Sequence, residues 1–550
     1  MAQVYEHPIF PFTAPPELLE GRVGNAAVCV VGAGPVGLAI AIDLAARGVQ
    51  VVLVDDDETV SHGSRLICIS KRTLEIFDRL GAGAGFAEKG VVWNKGRLFF
   101  GEDEVYSFDL LKEDGHQWPA FVNIQQYYAE DFLVRATERL PNLNIRWKSA
   151  VVGVEPSSDH VRLTVGTPEG PYDLDADYVV ACDGASSFVR RTLGLEFDGR
   201  TFQDRFLITD VTMQAEFPSE RWFWFEPPFH EGQSALLHKQ PDSVWRIDLQ
   251  LDQSADPGVE GREENVRPRI ERMLGVDAEF EIDWISLYTF RCQRLQRFTA
   301  GRIFFAGDSA HQVSPFGARG GNGGVQDADN LAWKLAAVIN GDAPDALLAS
   351  YDVERIPASD ENILNSSRST DFMTPKSQAV RDIRDAVLAL ARDHGFARRM
   401  VNSGRLSVPA VMDGSPLNTP DFGAFDGPMR PGAAALDAPV VTADGTDWLL
   451  HQFSGDFTVL LYLGDANDAL PDGWPRALPA MVNPLVIAPI SGPGVIGDPE
   501  GNVRVRYDLK PGTVYLIRPD QHVAARTRTF SSMWLQGALA RALGNAGDNA

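Results

Sequence analysis

Residues 302–335, RIFFAGDSAHQVSPFGARGGNGGVQDADNLAWKL, decide how this chain is read. The apolar run Ile303–Ala306 reads as a strand that delivers Gly307 and Asp308 to its end. A loop rich in Pro and Gly follows, and a helix is expected to begin near Asn322. Such a layout puts a carboxylate within reach of sugar hydroxyls. It also aims a helix N-terminus, with unpaired N–H groups and partial positive charge, at an electron-rich group. Gly317, Gly320, Gly321, Gly323 and Gly324 would let backbone press against a flat ring. A flavin has that shape.

Near the other end of the chain, Ala27–Val31 is a continuous apolar strand. It runs into Gly32-Ala33-Gly34-Pro35-Val36-Gly37 and then a helical pattern through Ala46. A second apolar strand, Val51–Val54, ends in Asp55, eighteen residues past Gly37. This is a βαβ unit. Its first glycine allows the tight turn, its second lets backbone approach a pyrophosphate, and its third lets helix and strand pack closely. Asp55 sits where an acid takes ribose hydroxyls. A third segment, DYVVACDGASSFVRRTLG (Asp177–Gly194), places Asp183-Gly184 at the end of another strand. With Gly307-Asp308 it supplies a second carboxylate converging on one extended cofactor, which narrows the nucleotide to FAD.

The bulk numbers exclude several classes. A chain of 550 residues is too long for one core, so two or three domains are expected. With 44% hydrophobic and 23% charged residues the composition is that of an ordinary globular enzyme. The net charge of −25 argues against nucleic acid or an anionic membrane as partner. Cys29, Cys68, Cys182 and Cys292 are far apart, so neither a metal site nor a disulfide scaffold is indicated. MAQVYEHPIFPF is not a signal peptide and no stretch is long and apolar enough for a membrane span, so the cytoplasm is the expected location.

Helical patterns recur around Lys71–Leu80 and Gln126–Leu140, and strands at Val161–Val165 and Tyr178–Ala181. The expected organisation starts with a Pro-rich N-terminal arm, 1–24. A nucleotide domain follows over 25–195, with a segment near 91–122 given to a substrate domain. Residues 196–292 form that substrate domain, mostly strand and antiparallel. The nucleotide domain resumes, with helices, over 293–407; 408–432 is a linker, and 433–550 is a unit able to fold alone. In that last unit FTVLLYLG (Phe457–Gly464) and TVYLIRP (Thr513–Pro519) read as buried strands, and Ser531–Leu543 as a terminal helix.

GAGPVG, CDGASSFVR and GDSAHQVSPFGARGGNGG followed by DADNLAWKLA stand in the order found in the single-component (class A) flavoprotein aromatic hydroxylases. The chain resembles that family over residues 26–375, and YDVERIP (Tyr351–Pro357) is similar to a further family motif. The C-terminal unit resembles the thioredoxin-like domain of phenol hydroxylase, but no cysteine lies in it, so packing or dimer contacts are its expected role. A homodimer is the candidate assembly. The implied fold is α/β: a Rossmann-like FAD-binding domain with an inserted antiparallel-sheet substrate domain, plus a thioredoxin-like α/β domain.

Position by position, the resemblance implies that Gly32, Gly34, Pro35, Val36 and Gly37 hold the pyrophosphate of a non-covalent FAD. Asp55 stands where relatives use Glu on the adenosine ribose, and Asp56 stands in a place often held by Arg. Arg65 matches a cofactor-contacting arginine, and Gln125, or its neighbour Gln126, matches a glutamine of the ribityl or phosphate region. Val151 matches a backbone contact to adenine. Asp183 falls in the motif linked to FAD and NAD(P)H. Gly307 and Asp308 belong to the ribityl chain, and Pro315, Gly320, Gly321 and Asn322 to the isoalloxazine. Arg319 replaces a common Gln.

The resemblance implies a hydroxylase of a small phenolic or otherwise activated aromatic substrate. NAD(P)H, bound transiently, reduces the flavin; O2 then adds to flavin C4a, giving a hydroperoxide that must be kept dry. No second GxGxxG appears, which suits that transient binding. His238 and Tyr288 are candidates for contacting the phenolic oxygen, and Arg246 for a substrate anion. His311 is expected to be a structural hydrogen-bonding residue. The acid of phenol hydroxylase has no counterpart in RLICIS (Arg65–Ser70), so the base stays open. Two rivals are kept. WFWFEP (Trp222–Pro227) comes close to the WxWxIP motif of flavin-dependent halogenases, with Glu226 in place of Ile, and a flavin-binding scaffold without turnover is the other.

Overall fold

The apolar runs seen in the sequence pair with one another in space. Ile303–Phe305, Gly170–Ala181, Gly24–Val31, Val51–Val54 and Leu143–Arg146 lie side by side in that order, every pairing parallel. Near-unbroken Val and Ile in these strands is what a sheet covered on both faces requires. Helices Pro35–Ala46 and Gly320–Ile339 bury most of their residues against it. Gly170–Ala181 continues antiparallel into Val161–Thr167, which pairs with Ala150–Pro156. The computed structural model describes residues 5–545 except 64, 112, 216, 253, 276, 402–407, 473 and 475–477. The extreme ends of the expected arm and C-terminal unit, and the end of the expected 293–407 segment, lie outside the described residues.

A second sheet of eight strands contains Phe197–Met213, Arg221–Phe225, Ser234–Lys239, Val244–Leu251 and Phe280–Leu295. It also contains Lys95–Phe100 and Asp103–Asp109, from the segment expected to leave the nucleotide domain, and the short strand His311–Gln312. It departs from a purely antiparallel sheet at one place: Arg221–Phe225 runs parallel to Lys95–Phe100. These two strands are far apart in sequence and no hairpin joins them, so nothing forces opposite senses. A short sheet of Cys68–Ser70, Phe121–Asn123 and Val91–Trp93 bridges the first two.

Residues 439–527 build a seven-stranded sheet in which Phe457–Tyr462 has Val482–Ala488 parallel on one side and Val514–Ile517 antiparallel on the other. Helix Ser532–Ala542 follows, its Ser531 hydroxyl accepting from the Trp534 amide. No helix or strand occupies 408–432, although Met412, Leu417 and Met429 are buried. The arm packs on the chain itself: Phe10 stacks on Trp147 with ring centroids 4.4 Å apart, and its amide donates to the Glu58 carbonyl.

Candidate active site

Because the central strands are parallel and in register, their carboxyl ends fall together. Val31 pairs with Ala181 and Val54, and Ala181 with Phe305. The residues that follow are Gly32, Cys182-Asp183, Asp55 and Ala306-Gly307-Asp308. Chain connections leave Gly24–Val31 in opposite directions, so this is the crevice where open α/β sheets bind ligands.

Contacts too close for any side chain lock the three motifs together. Gly32 has φ of 102°, and a Cβ there would lie 2.6 Å from the Cys182 carbonyl oxygen. On Gly37 a Cβ would sit 1.9 Å from the Gly32 carbonyl oxygen, and on Gly324 it would lie 2.7 Å from Val36 and 2.9 Å from the Gly307 Cα. Gly34 differs. It caps the helix that starts at Pro35, and a Cβ on it would meet nothing within 4 Å. Its surroundings are an open cradle at a helix N-terminus.

Three carboxylates face that end. The Ala33 and Asp57 amides donate to Asp55, at 2.5 and 2.9 Å, and burial raises its pKa against these bonds. Asp183 accepts from the Val189 amide at 3.1 Å through Oδ2, while its buried Oδ1 has no hydrogen-bond partner among the described residues. Burial raises the Asp183 pKa too. Asp308 is ringed by protein, so burial raises its pKa while His311 and Arg65 pull it down. Its side chain nevertheless faces open space, as a group on the floor of a deep cleft does.

Residues 313–322 build the stretch expected to lie against the flat ring. The helix starts at Gly320, two residues before the expected Asn322, since glycines with ordinary φ join the first turn. Gly317 at φ 101° and Ala318 at φ 51° turn the chain into it. Asn322 is a brace: Oδ1 accepts from the Ser70 amide at 2.9 Å, and Nδ2 donates to the Cys68 and Ala318 carbonyls. Pro315 is exposed, and Gly320 and Gly321 are half-buried, with Leu66 against Gly321. Arg65 is exposed, and its amide donates to Gln126 Oε1 at 3.2 Å. Gln125 is 2% exposed; its side-chain nitrogen donates to the Pro241 carbonyl and its Oε1 has no partner among the described residues. Val151 is buried on the strand after Ser149, whose amide donates to the Asp55 carbonyl.

Beneath Gly307 lies a buried clamp. The Gly307 amide donates to Asp327 Oδ2 at 3.1 Å, where His311 Nε2 also sits at 2.6 Å, and Arg355 Nε donates to Oδ1 at 2.7 Å. Burial would raise the Asp327 pKa, but His311 and Arg355 outweigh it and hold the carboxyl low. Tyr351 donates to the Phe305 carbonyl at 2.8 Å. Tyr351 and Arg355 of YDVERIP therefore hold the strand end and the helix that carry the third motif.

The face of the eight-stranded sheet turned to this cleft carries Tyr288, His238, Arg246, Asp210, Asp248, Arg221 and Phe290. Phe316 of the glycine-rich loop packs on Phe290 at 5.2 Å between centroids. Burial pushes the Tyr288 phenol up, with Asp308 adding to it and Arg65 opposing, so Tyr288 stands within electrostatic reach of both. His238 is 1% exposed, with Nδ1 4.0 Å from Cys68 Sγ and Nε2 3.7 Å from Asp248 Oδ2. Burial lowers its pKa, leaving the imidazole neutral. Arg246 makes two 2.7 Å bonds to Asp210, which answers its charge locally. Trp222 and Trp224 point the other way, towards the cluster that includes Val266 and Ile270, because side chains alternate along a strand. A cavity of about 590 Å³ lies elsewhere, beside Asp43, Arg79, Trp333 and His451, and is lined by none of Gly32, Gly34, Asp55, Asp183 and Asp308.

Open cradle, converging carboxylates and glycine-lined ring side fit FAD. Asp210, Asp248 and Arg221 were not singled out from the sequence. The signal was the period-2 pattern of their strands, which does not say which face looks inward.

Residues 25–366 match the family model described as FAD binding domain. A 12-dehydrotetracycline 5-monooxygenase/anhydrotetracycline 6-monooxygenase of Streptomyces rimosus is 30% identical over 451 residues, covering 80% of this chain and 85% of the relative. A 3-(3-hydroxy-phenyl)propionate/3-hydroxycinnamic acid hydroxylase of Mycobacterium avium is 27% identical over 542 residues, covering 94% and 92%. Among solved structures, the flavin-dependent monooxygenase PieE in complex with FAD and substrate superposes with a TM-score of 0.80 at 22% identity, covering 95% of this chain and 99% of that one. A motif set that converges in space and a match across most of the chain lead to one assignment: the chain belongs to the FAD-binding-domain family of flavoprotein monooxygenases.

Proposed function

We propose that the protein hydroxylates a small phenolic or otherwise activated aromatic compound, using NAD(P)H and O2. The observation that carries this reading is the meeting of Gly32, Asp55, Asp183 and Asp308 at one sheet end, beside a second sheet whose inward face is polar at its centre. FAD, when bound, supplies the redox and oxygen chemistry. The residues position it and the substrate. The helix N-terminus at Pro35 would take the pyrophosphate, Asp55 the adenosine ribose and Asp308 the ribityl hydroxyls. The helix N-terminus at Gly320 would stabilise negative charge on the ring. Tyr288 and the Phe290–Phe316 pair exclude water.

His238 is the acceptor of the phenolic proton. Neutral and buried, it would receive the proton at Nδ1, and Asp248 across Nε2 would stabilise the imidazolium. Removing that proton makes the ring carbon a better nucleophile. Four unpaired cysteines support a cytoplasmic setting. The order and senses of the four strands around Phe457–Tyr462 support a thioredoxin-like reading of the C-terminal unit, with packing or homodimer contacts as its role.

The test is NADH and NADPH oxidation with oxygen uptake, run against a panel holding 3-(3-hydroxyphenyl)propionate and a polycyclic phenol such as anhydrotetracycline. A phenol should accelerate flavin reduction and appear as product carrying one atom from O2. Chloride-dependent product formation would instead favour the halogenase reading, and no NAD(P)H consumption the scaffold.

A further inference from the structure

Arg221 is 4% exposed, on the inward face of the substrate sheet and in register with His238. The comparably buried Arg72, Arg246, Arg355 and Arg518 each meet a carboxylate oxygen. Among the described residues, none lies within 4.0 Å of Arg221. Its Nη1 is 3.9 Å from Cys68 Sγ, and its Nε is buried without a partner. Its guanidinium lies over the Phe223 ring at 4.9 Å and the Trp93 ring at 5.9 Å. Asp248, on the strand beyond that of His238, faces His238 Nε2 instead.

Taking a guanidinium out of water without a counter-anion is costly, and aromatic faces offset only part of that. A chain that retains such a group next to its candidate proton acceptor has placed it for an anion brought from outside. The flanking rings suit a flat partner. Cys68 ties the spot to the flavin side, because its carbonyl accepts from Asn322 while its thiol lies between Arg221 and His238.

We propose that Arg221 is the substrate's anion anchor, taking a carboxylate or ionised phenolic oxygen carried by an aromatic ring. The proposal rests on the hydroxylase reading for its site. If a phenolic proton passes to His238 Nδ1, the O–H bond breaks and an N–H bond forms. Two opposite pairs result: imidazolium with Asp248, and oxyanion with Arg221. Arg246, already matched by Asp210, is not needed for this.

The test is calorimetric titration of the FAD-loaded protein with benzoate, benzamide, and 4-nitrophenol above and below its own ionisation. NAD(P)H is left out, so binding is read apart from turnover. The parent protein should prefer the anion over its neutral counterpart by about tenfold or more, the scale of a charged hydrogen bond. Arg221→Gln should erase that preference with FAD content retained, and Arg221→Lys should restore part of it. Preference for benzoate identifies a ring carboxylate as the source; preference confined to ionised 4-nitrophenol identifies the phenolic oxygen. Should Arg221→Gln not fold, Arg221→Lys alone must weaken anion binding and spare benzamide. Undiminished anion preference in the variants overturns the proposal, as does a parent that binds neither anion or does not discriminate. Failure of the hydroxylase reading would show separately, as absent phenol-stimulated oxygen uptake.

Discussion

Asp308 and His238 show what one position can decide. Asp308 faces open space inside dense protein, the situation of a carboxylate that meets a ligand. Asp308→Ala should purify folded but largely without flavin absorbance; a fully loaded, active variant would contradict the assignment. His238 carries a pKa lowered by burial. The acid limb of kcat/KM should therefore lie below about pH 6.5, the ordinary histidine value, because protonation below that limb removes the acceptor. His238→Gln should lower kcat and abolish the limb, and an unchanged pH profile would exclude His238 as base. The glycines and acids of the nucleotide half were readable because their backbone demands are local. Arg221 was not, because the conspicuous tryptophans of WFWFEP draw attention to the opposite face.

Elements meet here through buried charge. Asp327 joins the Gly307 turn, His311 and Arg355 of the long helix Ser350–Met373. Asp327→Ala would strand Arg355 without a counter-charge, and urea unfolding should show a loss of about 3–5 kcal/mol. A loss below about 1 kcal/mol would show that the clamp is not what holds the third motif. Strands and helices of the parallel sheet were legible from unbroken apolar runs and glycine punctuation. Two features were not: the helix onset at Gly320, hidden among glycines that read as loop, and the parallel pairing of Arg221–Phe225 with Lys95–Phe100, which rests on distant contacts.

The C-terminal unit is fastened to the nucleotide domain by ionic groups at two depths. Deep down, Arg518 meets Glu354 and Asp520, and Arg72 reaches the Asp520 carbonyl. Nearer the surface, His451 contacts Asp447 at 2.7 Å and Asp78, in the nucleotide domain, at 2.9 Å. Burial lowers the His451 pKa, but these two carboxylates outweigh it and leave it raised. A raised histidine pKa gives stability that is fully present below the unfolded value of about 6.5 and is lost as pH rises through the folded one. His451→Ala should therefore lower Tm at pH 6 more than at pH 9; equal losses would mean the contact is not ionic. The sequence marked this unit by its apolar runs, but its docking depends on pairs such as Arg518–Glu354, separated by 164 residues. The central claim, one cofactor gripped by three distant stretches, is tested most directly by a crystal structure of the FAD-bound protein. The pyrophosphate should lie against Gly34, the ribityl chain beside Asp308 and the ring between residues 315–322 and Tyr288; FAD in the cavity beside Trp333 and His451 would contradict it.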